Sequence, residues 1–368
     1  MAIALLTTYL TPYRVPLYQL LAERHGVEVL CYGGGERYVP SWFSDLDRQL
    51  ASAPFDARRI AGPREAFAAA GRYDAVIAPF AGGPLLPAGY AGARWHGRPF
   101  VLWASVWAQP RSLTHVAALP VTRHIYRHAD AVIAYGEHVR RFVAGIRGRD
   151  GDVVVAPQTV EPELFARTVH PAEIAQFRQR HALSADERLV LYVGRLVPEK
   201  GVEVLLDAWP RVEAGATLVL IGDGPLAARA RKTEGARLLG PLPRAELPAA
   251  YAASELAVLA SIPTPRFREP WGLVCNEAMH QARPMVASDA VGAVAGGLVL
   301  DQVNGLVVPA GDRRSLAAAI SRLLADEPLR RRLGSAAAEA VRPYTYEAMA
   351  RAFARALTTA SASRRARG

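Results

Sequence analysis

Short, continuously apolar runs recur along this 368-residue chain, separated by longer stretches whose apolar positions return every three or four residues. Runs at 3–6, 27–32, 74–79, 100–103, 130–134 and 152–156 predict strands. They lack apolar-polar alternation, as strands do when both faces of a parallel sheet are covered. Helices are predicted between them at 15–24, 114–128 and 137–144. In the first, Leu17, Leu20 and Leu21 hold core spacing and Gly26 marks the stop. The pattern then restarts. Strands are predicted at 189–193, 216–221, 256–259, 285–287 and 306–308, and helices at 202–209, 225–234, 245–253, 273–281 and 313–325.

Two successive α/β halves predict two doubly wound, Rossmann-like domains facing across a cleft. The first spans 1–165 and the second 166–344, with the break in the proline-marked stretch 157–165. Met349, Phe353 and Leu357 stand four apart and predict a closing helix over 345–360, which completes the first domain. The tail 361–368, with Arg364, Arg365 and Arg367, is expected to be disordered. In open α/β sheets, ligands bind outside the carboxyl ends of the strands.

Composition narrows the class. An apolar content of 51% supports two real cores. Cys31 and Cys275 lie far apart in apolar segments, with neither metal-ligand spacing nor a disulfide framework. The start reads as a first strand, since it lacks a basic leader and a cleavage site. No run reaches the roughly 18–20 apolar residues of a membrane span. The expectation is a cytoplasmic protein, with association at the inner face of an anionic membrane as an option. The net charge of +10 favours phosphorylated or acidic ligands, nucleic acid or anionic surfaces. Of 44 basic residues only Lys200 and Lys232 are lysine, a skew that suits a GC-rich bacterial genome. It also singles out Lys200, because a compact charge on a flexible stem is not interchangeable with arginine.

The densest chemistry lies at Arg268-Glu-Pro-Trp-Gly-Leu-Val-Cys-Asn-Glu277-Ala-Met-His-Gln-Ala-Arg-Pro284. Glu269 is placed about where a helix begins and Glu277 two turns into it. Eight helical residues rise by roughly 12 Å, too far for the paired carboxyls of a glycoside hydrolase, which stand about 5–9.5 Å apart. The two glutamates therefore suit different parts of one extended ligand, while the helix start suits a phosphate. A second motif, Gly194-Arg195-Leu-Val-Pro-Glu-Lys200-Gly201, follows a strand and opens a helix. Its two cations suit a diphosphate. Gly222-Asp-Gly-Pro225 is a third strand-to-helix turn, where glycine permits close backbone approach.

The order and spacing of these motifs, with Asn304-Gly305-Leu-Val-Val, resemble the retaining glycosyltransferases of family 4, which have the GT-B fold. Tyr13-Arg-Val-Pro-Leu17 looks like one subgroup of that family. The resemblance implies transfer of a sugar from a nucleoside diphosphate sugar, UDP first, to a hydroxyl of a glycan, lipid-linked or natural-product acceptor. It implies that Arg195 and Lys200 neutralise the leaving diphosphate and that Glu269 holds hydroxyls of the donor sugar. Trp271, Gly272 and Leu273 would offer amides, and Glu277 would hold the ribose. Gly194 and Gly222 would line the donor site, and the loop from Leu239 to Leu242 would pack on the base. No cofactor or metal is implied.

Some positions depart from the family pattern. Thr7-Thr-Tyr-Leu-Thr-Pro12 stands where a glycine-rich loop is common, and Gln158-Thr-Val-Glu161 stands where Asn-Gly-Val-Asp is common. His115, with His96 behind it, is the candidate for a histidine near the reacting carbon. Trp103 and Trp107 are candidates for an acceptor ring. Asp45-Leu-Asp47 has the form of a metal-binding triplet but reads as surface charge. A sugar-nucleotide epimerase is the chief rival. A nicotinamide oxidoreductase lacks its Gly-x-Gly-x-x-Gly loop after the first strand. A nucleic-acid binder has only the dispersed net charge behind it, and no nucleic-acid partner is expected.

Overall fold

The computed structural model describes residues 2–33, 46–80, 83–213 and 215–366. It divides into two compact units. The amino unit runs to Gln158 and regains the chain from Tyr346; the carboxyl unit is Thr159–Thr345. The boundary expected at 165/166 thus falls at Gln158/Thr159.

The amino unit contains β1 (Ile3–Thr7), β2 (Val27–Cys31), β3 (Ala57–Arg59), β4 (Ala75–Pro79), β5 (Phe100–Ala104), β6 (Ala131–Ala134) and β7 (Val153–Val155). Their order is β3-β2-β1-β4-β5-β6-β7, and every pairing is parallel. The carboxyl unit contains β8 (Arg188–Val193), β9 (Ala216–Ile221), β10 (Ala236–Gly240), β11 (Leu256–Leu259), β12 (Met285–Ser288) and β13 (Gly305–Val308). Their order is β10-β9-β8-β11-β12-β13, again all parallel. Both are doubly wound Rossmann-like sheets. The strand order reverses between β1 and β4 in one and between β8 and β11 in the other.

Burial follows the apolar runs. Ile3 and Leu5 enter one core of the amino unit, while Ala4 and Leu6 enter the core on the opposite face. The central strands are therefore mostly apolar, with polar residues at few positions such as Thr7 at the end of β1 and Glu28 in β2. β3 and β10 did not stand out as apolar runs because both are edge strands with exposed arginines, Arg59 and Arg237. Helix Leu85–Trp95 was hidden by Pro87, Gly89 and Gly92, poor helix formers on propensity alone.

The helix Tyr346–Arg365 packs on the amino sheet through Met349, Phe353, Ala356, Leu357 and Ala360. The sequence reading ends it at 360 and leaves 361–368 disordered. It continues for another turn to Arg365, its side chains only partly exposed at Ser361 and Ser363. Trp103, a candidate acceptor contact, is instead a core residue of β5. It is 3% exposed and meets Phe353 edge-on, with ring centres 5.0 Å apart. Arg14 is buried over the same indole at 4.8 Å and donates to Gln158 at 2.5 Å and to the Tyr135 hydroxyl at 3.2 Å. The turn after β1, the end of β6 and the last residue of the amino unit are fastened together in this way. Both cysteines are buried and free, and burial pushes the Cys31 thiol up to about 12, which removes it from thiolate chemistry at neutral pH.

Phe353→Ala should lower the stability of the amino unit by about 3–5 kcal/mol, since it deletes a fully buried ring that cannot be refilled. Urea unfolding followed by tryptophan fluorescence, to which the neighbouring Trp103 contributes, would measure this. An unchanged midpoint would mean that the carboxyl-terminal helix does not complete the amino core.

Candidate functional site

The loops that follow β8 and β11 flank the switch point of the carboxyl sheet, where an open parallel sheet leaves a crevice at its strand ends. The first loop leaves β8 at Val193, makes the single turn Pro198–Lys200 and enters helix Val202–Ala208. The second runs from Ala260 to Gly272 and enters helix Leu273–His280. Lys200 from the first reaches Glu269 from the second, Nζ to Oε2 at 2.5 Å. The lysine side chain is 18% exposed and the glutamate 5%. The Ser261 hydroxyl donates to the same carboxylate oxygen at 3.0 Å, and the Ser288 hydroxyl at the end of β12 donates to the Ser261 carbonyl at 2.5 Å. Neither serine was picked out in the sequence. Their signal is position alone, since both stand at or just past the carboxyl end of a strand.

Glycine makes this closeness physically accessible. Gly201 has φ +69°, and a Cβ there would stand 1.7 Å from the Ala260 carbonyl oxygen. The two loops touch backbone to backbone at that point. Gly222 has φ +137°, and its Cβ would stand 2.0 Å from the Gly194 carbonyl oxygen. Gly194 in turn donates its amide to Ile221 at 2.9 Å. The turns after β8 and β9 therefore stack without side chains between them. Arg195 stands on this shelf with its side chain 39% exposed and Glu199 3.9 Å away.

Glu269 does not begin the helix, as the sequence reading has it. Pro270 and Gly272 intervene, and residue 269 forms a parallel bridge with Val291. The helix starts four residues later at Leu273, so the 12 Å helical separation from Glu277 does not apply. Gly272, at φ +94°, occupies the cap position. No side chain caps this end, and its first turn carries no acid. The opening amides, including that of Leu273, are thus left to accept an anion. Trp271 is buried and donates its indole N–H to Asn276 at 2.8 Å, which anchors the turn before these amides.

Glu277, two turns into the helix by the sequence reading, lies four residues past Leu273 and is buried. It accepts from the Tyr251 hydroxyl at 2.8 Å. Burial pushes its carboxyl above the usual range, with Arg244 nearby opposing the shift. Arg244 also pairs with Glu161, which stands in the segment entering the carboxyl unit. Nothing in the local sequence marks Tyr251 and Arg244, and Glu161 stands out there only as the last residue of Gln158-Thr-Val-Glu161, without a role. Leu239 is a half-buried residue of β10 and not part of a loop.

The amino-unit candidates are otherwise engaged. His115 is half-buried in the first turn of helix Leu113–His128. Its Nδ1 is 2.5 Å from the hydroxyl of the capping Ser112. Trp107 is half-buried and meets His138 edge-on at 5.1 Å. His96 lies exposed beyond helix Leu85–Trp95. Asp47 is exposed and pairs with Arg59, while Asp45 lies outside the described residues. Among the described residues no group of three or more His, Cys, Asp or Glu could hold a metal ion. No helix among them is long and apolar enough to cross a membrane.

Residues 187–326 match the family described as glycosyl transferases group 1, and this part of the carboxyl unit is a domain of that family. The chain is 32% identical over 226 residues to the alpha-D-kanosaminyltransferase of Streptomyces kanamyceticus, covering 59% of this chain and 56% of that one. It is 35% identical over 184 residues to the phosphatidyl-myo-inositol mannosyltransferase of Mycobacterium leprae, covering 48% of each. The chain thus spans about half the length of these curated relatives. Among solved structures, Anabaena HepE in complex with UDP and glucose superposes with a TM-score of 0.78 at 22% identity, over 97% of this chain and 99% of that one. Sucrose-phosphate synthase from Thermosynechococcus elongatus superposes at 0.74 and 24% identity, over 96% and 98%. The fold is GT-B.

Glu277 provides a pH test. An unfolded glutamate titrates near about 4.3, while the folded carboxyl titrates higher. Between those values the folded state holds the extra proton, so this group's contribution to stability falls as pH rises. Glu277→Gln keeps an acceptor for Tyr251 and removes the ionisation. Thermal unfolding should show variant and parent alike near pH 4, with the variant gaining as pH rises to neutrality. A variant that loses ground over that range would contradict the assignment.

Proposed function

We propose, for a chain whose carboxyl unit carries a group 1 glycosyltransferase domain, that the protein is a retaining glycosyltransferase. It moves a sugar from a nucleoside diphosphate sugar, with UDP as the first candidate, to a hydroxyl of a glycan, lipid-linked or natural-product acceptor. The observation that carries this reading is the meeting of Lys200 and Glu269 across the switch point, beside an uncapped helix start. The relatives support it by name, being a kanosaminyltransferase and a mannosyltransferase, and the HepE structure holds UDP.

The arrangement answers a specific electrostatic problem. A carboxylate that holds sugar hydroxyls would repel the neighbouring diphosphate. Lys200 neutralises Glu269 and presents the remaining face of its ammonium to phosphate oxygens. Arg195 and the amides of Gly272 and Leu273 supply further donors. Charge grows on the leaving oxygens as the anomeric bond breaks, so these groups bind the transition state more tightly than the ground state. The bond from the anomeric carbon to phosphate breaks, and the bond to the acceptor oxygen forms on the same face. The acceptor's proton passes to the departing phosphate, so no protein nucleophile is needed. Glu277 takes the ribose hydroxyls, and Leu239 with its neighbours flanks the base. Arg195 and Lys200 supply the positive charge that a metal would otherwise bring.

Lys200→Ala and Arg195→Ala should each reduce turnover by roughly 10²-fold or more, measured as acceptor-dependent release of nucleoside diphosphate. Near-normal turnover in either would refute its role, and conversion of the nucleotide sugar without any acceptor would replace transfer by epimerisation. Glu277→Ala should chiefly weaken nucleotide binding in calorimetry. Glu269→Ala should chiefly harm turnover and sugar selection. Activity should persist in excess chelator; loss restored only by Mg²⁺ or Mn²⁺ would overturn the metal-free account.

A further inference from the structure

Six large apolar side chains stand exposed among the described residues, and four of them lie on two helices of the amino unit. Trp95, at the end of helix Leu85–Trp95, is 78% exposed. Leu113, Val116 and Val121, on helix Leu113–His128, are 90%, 58% and 50% exposed. On the second helix Leu113, Val116, Ala117, Pro120 and Val121 are spaced three and one apart and so form one stripe. That helix buries only Ile125 and Tyr126, both near its end. A shallow groove lined by Tyr90, Arg94, Trp95, His124 and His128 joins the two helices, and the Tyr90 hydroxyl lies 3.2 Å from His124 Nε2. The apolar stripe and Trp95 are therefore parts of one face.

Charge is the second, independent observation. From Ala75 to Ala129 the chain contains no aspartate or glutamate. At the chain-wide density of 34 acids in 368 residues, about five would fall there. The same segment holds Arg94, Arg98, Arg111, Arg123 and Arg127 and four of the nine histidines. Arg111, Arg123 and Arg127 are exposed. The carboxylates on neighbouring elements are already paired. Asp130 binds Arg94 at 2.5 Å, Glu65 on the adjacent helix binds Arg58 at 2.7 Å, and Glu137 binds Arg140 at 3.3 Å. The face is apolar at its centre, basic around it and free of uncompensated negative charge.

We propose that this face docks on an anionic lipid surface. Leu113, Val116, Val121 and Trp95 enter the boundary between headgroups and acyl chains, and Arg123, Arg127 and Arg111 meet lipid phosphates. Interfacial helices bind by this combination of buried apolar area and basic flanks. A tryptophan with one wet and one apolar edge suits that boundary. The acceptor chemistry would then be presented at a membrane surface. The docking itself does not depend on the transfer reaction.

The test is co-sedimentation of the full chain with phosphatidylcholine vesicles, with and without phosphatidylglycerol. Binding should require the anionic lipid and weaken as salt rises. The double variants Arg111→Glu/Arg123→Glu and Leu113→Asp/Val116→Asp should each lower the partition coefficient by about tenfold or more. All four positions are exposed, so thermal unfolding should be unchanged and confirms that each variant folds. Equal binding to neutral and anionic vesicles, or none to either, would overturn the proposal. So would a dimer seen by ultracentrifugation and lost in Leu113→Asp/Val116→Asp, or tighter binding to random RNA than to vesicles.

Discussion

Every strand pairing in both sheets is parallel, and most of the molecule's organisation follows from that constraint. Parallel neighbours cannot be joined by a tight turn, so each connection must cross a sheet face, usually as a helix. Both faces are thereby covered and the central strands are mostly apolar. All the loops from one set of strand ends gather along a single edge. In the carboxyl unit the order reverses between β8 and β11. The loops on either side of that reversal diverge in the chain but meet in space, and Lys200 and Glu269 belong to those two loops.

The pair changes what each residue can do. Glu269 alone, 4% exposed, would be an expensive buried charge and a poor neighbour for a phosphate. Held by Lys200 and the Ser261 hydroxyl, its carboxylate oxygen accepts two hydrogen bonds and faces a cation. Glu277 stands in another setting, buried with Tyr251 as its donor and with Arg244 close by. Two glutamates from one short motif thus have different electrostatics because different elements surround them.

Much of this was legible in the residues. Continuous apolar runs located the central strands, since double burial leaves a pattern that needs no partner to read. Lys200 stood out because nearly every other cation is arginine. Edge strands β3 and β10 escaped because solvent on one side admits arginines. Trp103 reads as a candidate ligand contact because an indole in an apolar strand looks alike in a core and in a site. Only its packing on Phe353 and Arg14 separates the two. The sequence places Glu269 about at a helix start because the helical pattern at 273–281 follows Pro270 closely. The positive φ of Gly272 and the bridge to Val291 pull residue 269 off it.

The sequence by itself determined the two-unit α/β organisation and the carboxyl-unit motifs, because helix and strand periodicities and glycine-bearing turns are local properties of the chain. The tertiary structure decided which of those residues meet. Lys200 and Glu269 stand 69 positions apart, and Tyr251 and Glu277 stand 26 apart. Their contacts depend on strand order and on loops packed backbone to backbone at Gly201, and neither leaves a local trace. The exposed stripe of helix Leu113–His128 makes the same point from the other side. Its spacing is that of an ordinary buried face, and only the fold shows that nothing among the described residues covers Leu113, Val116 and Val121.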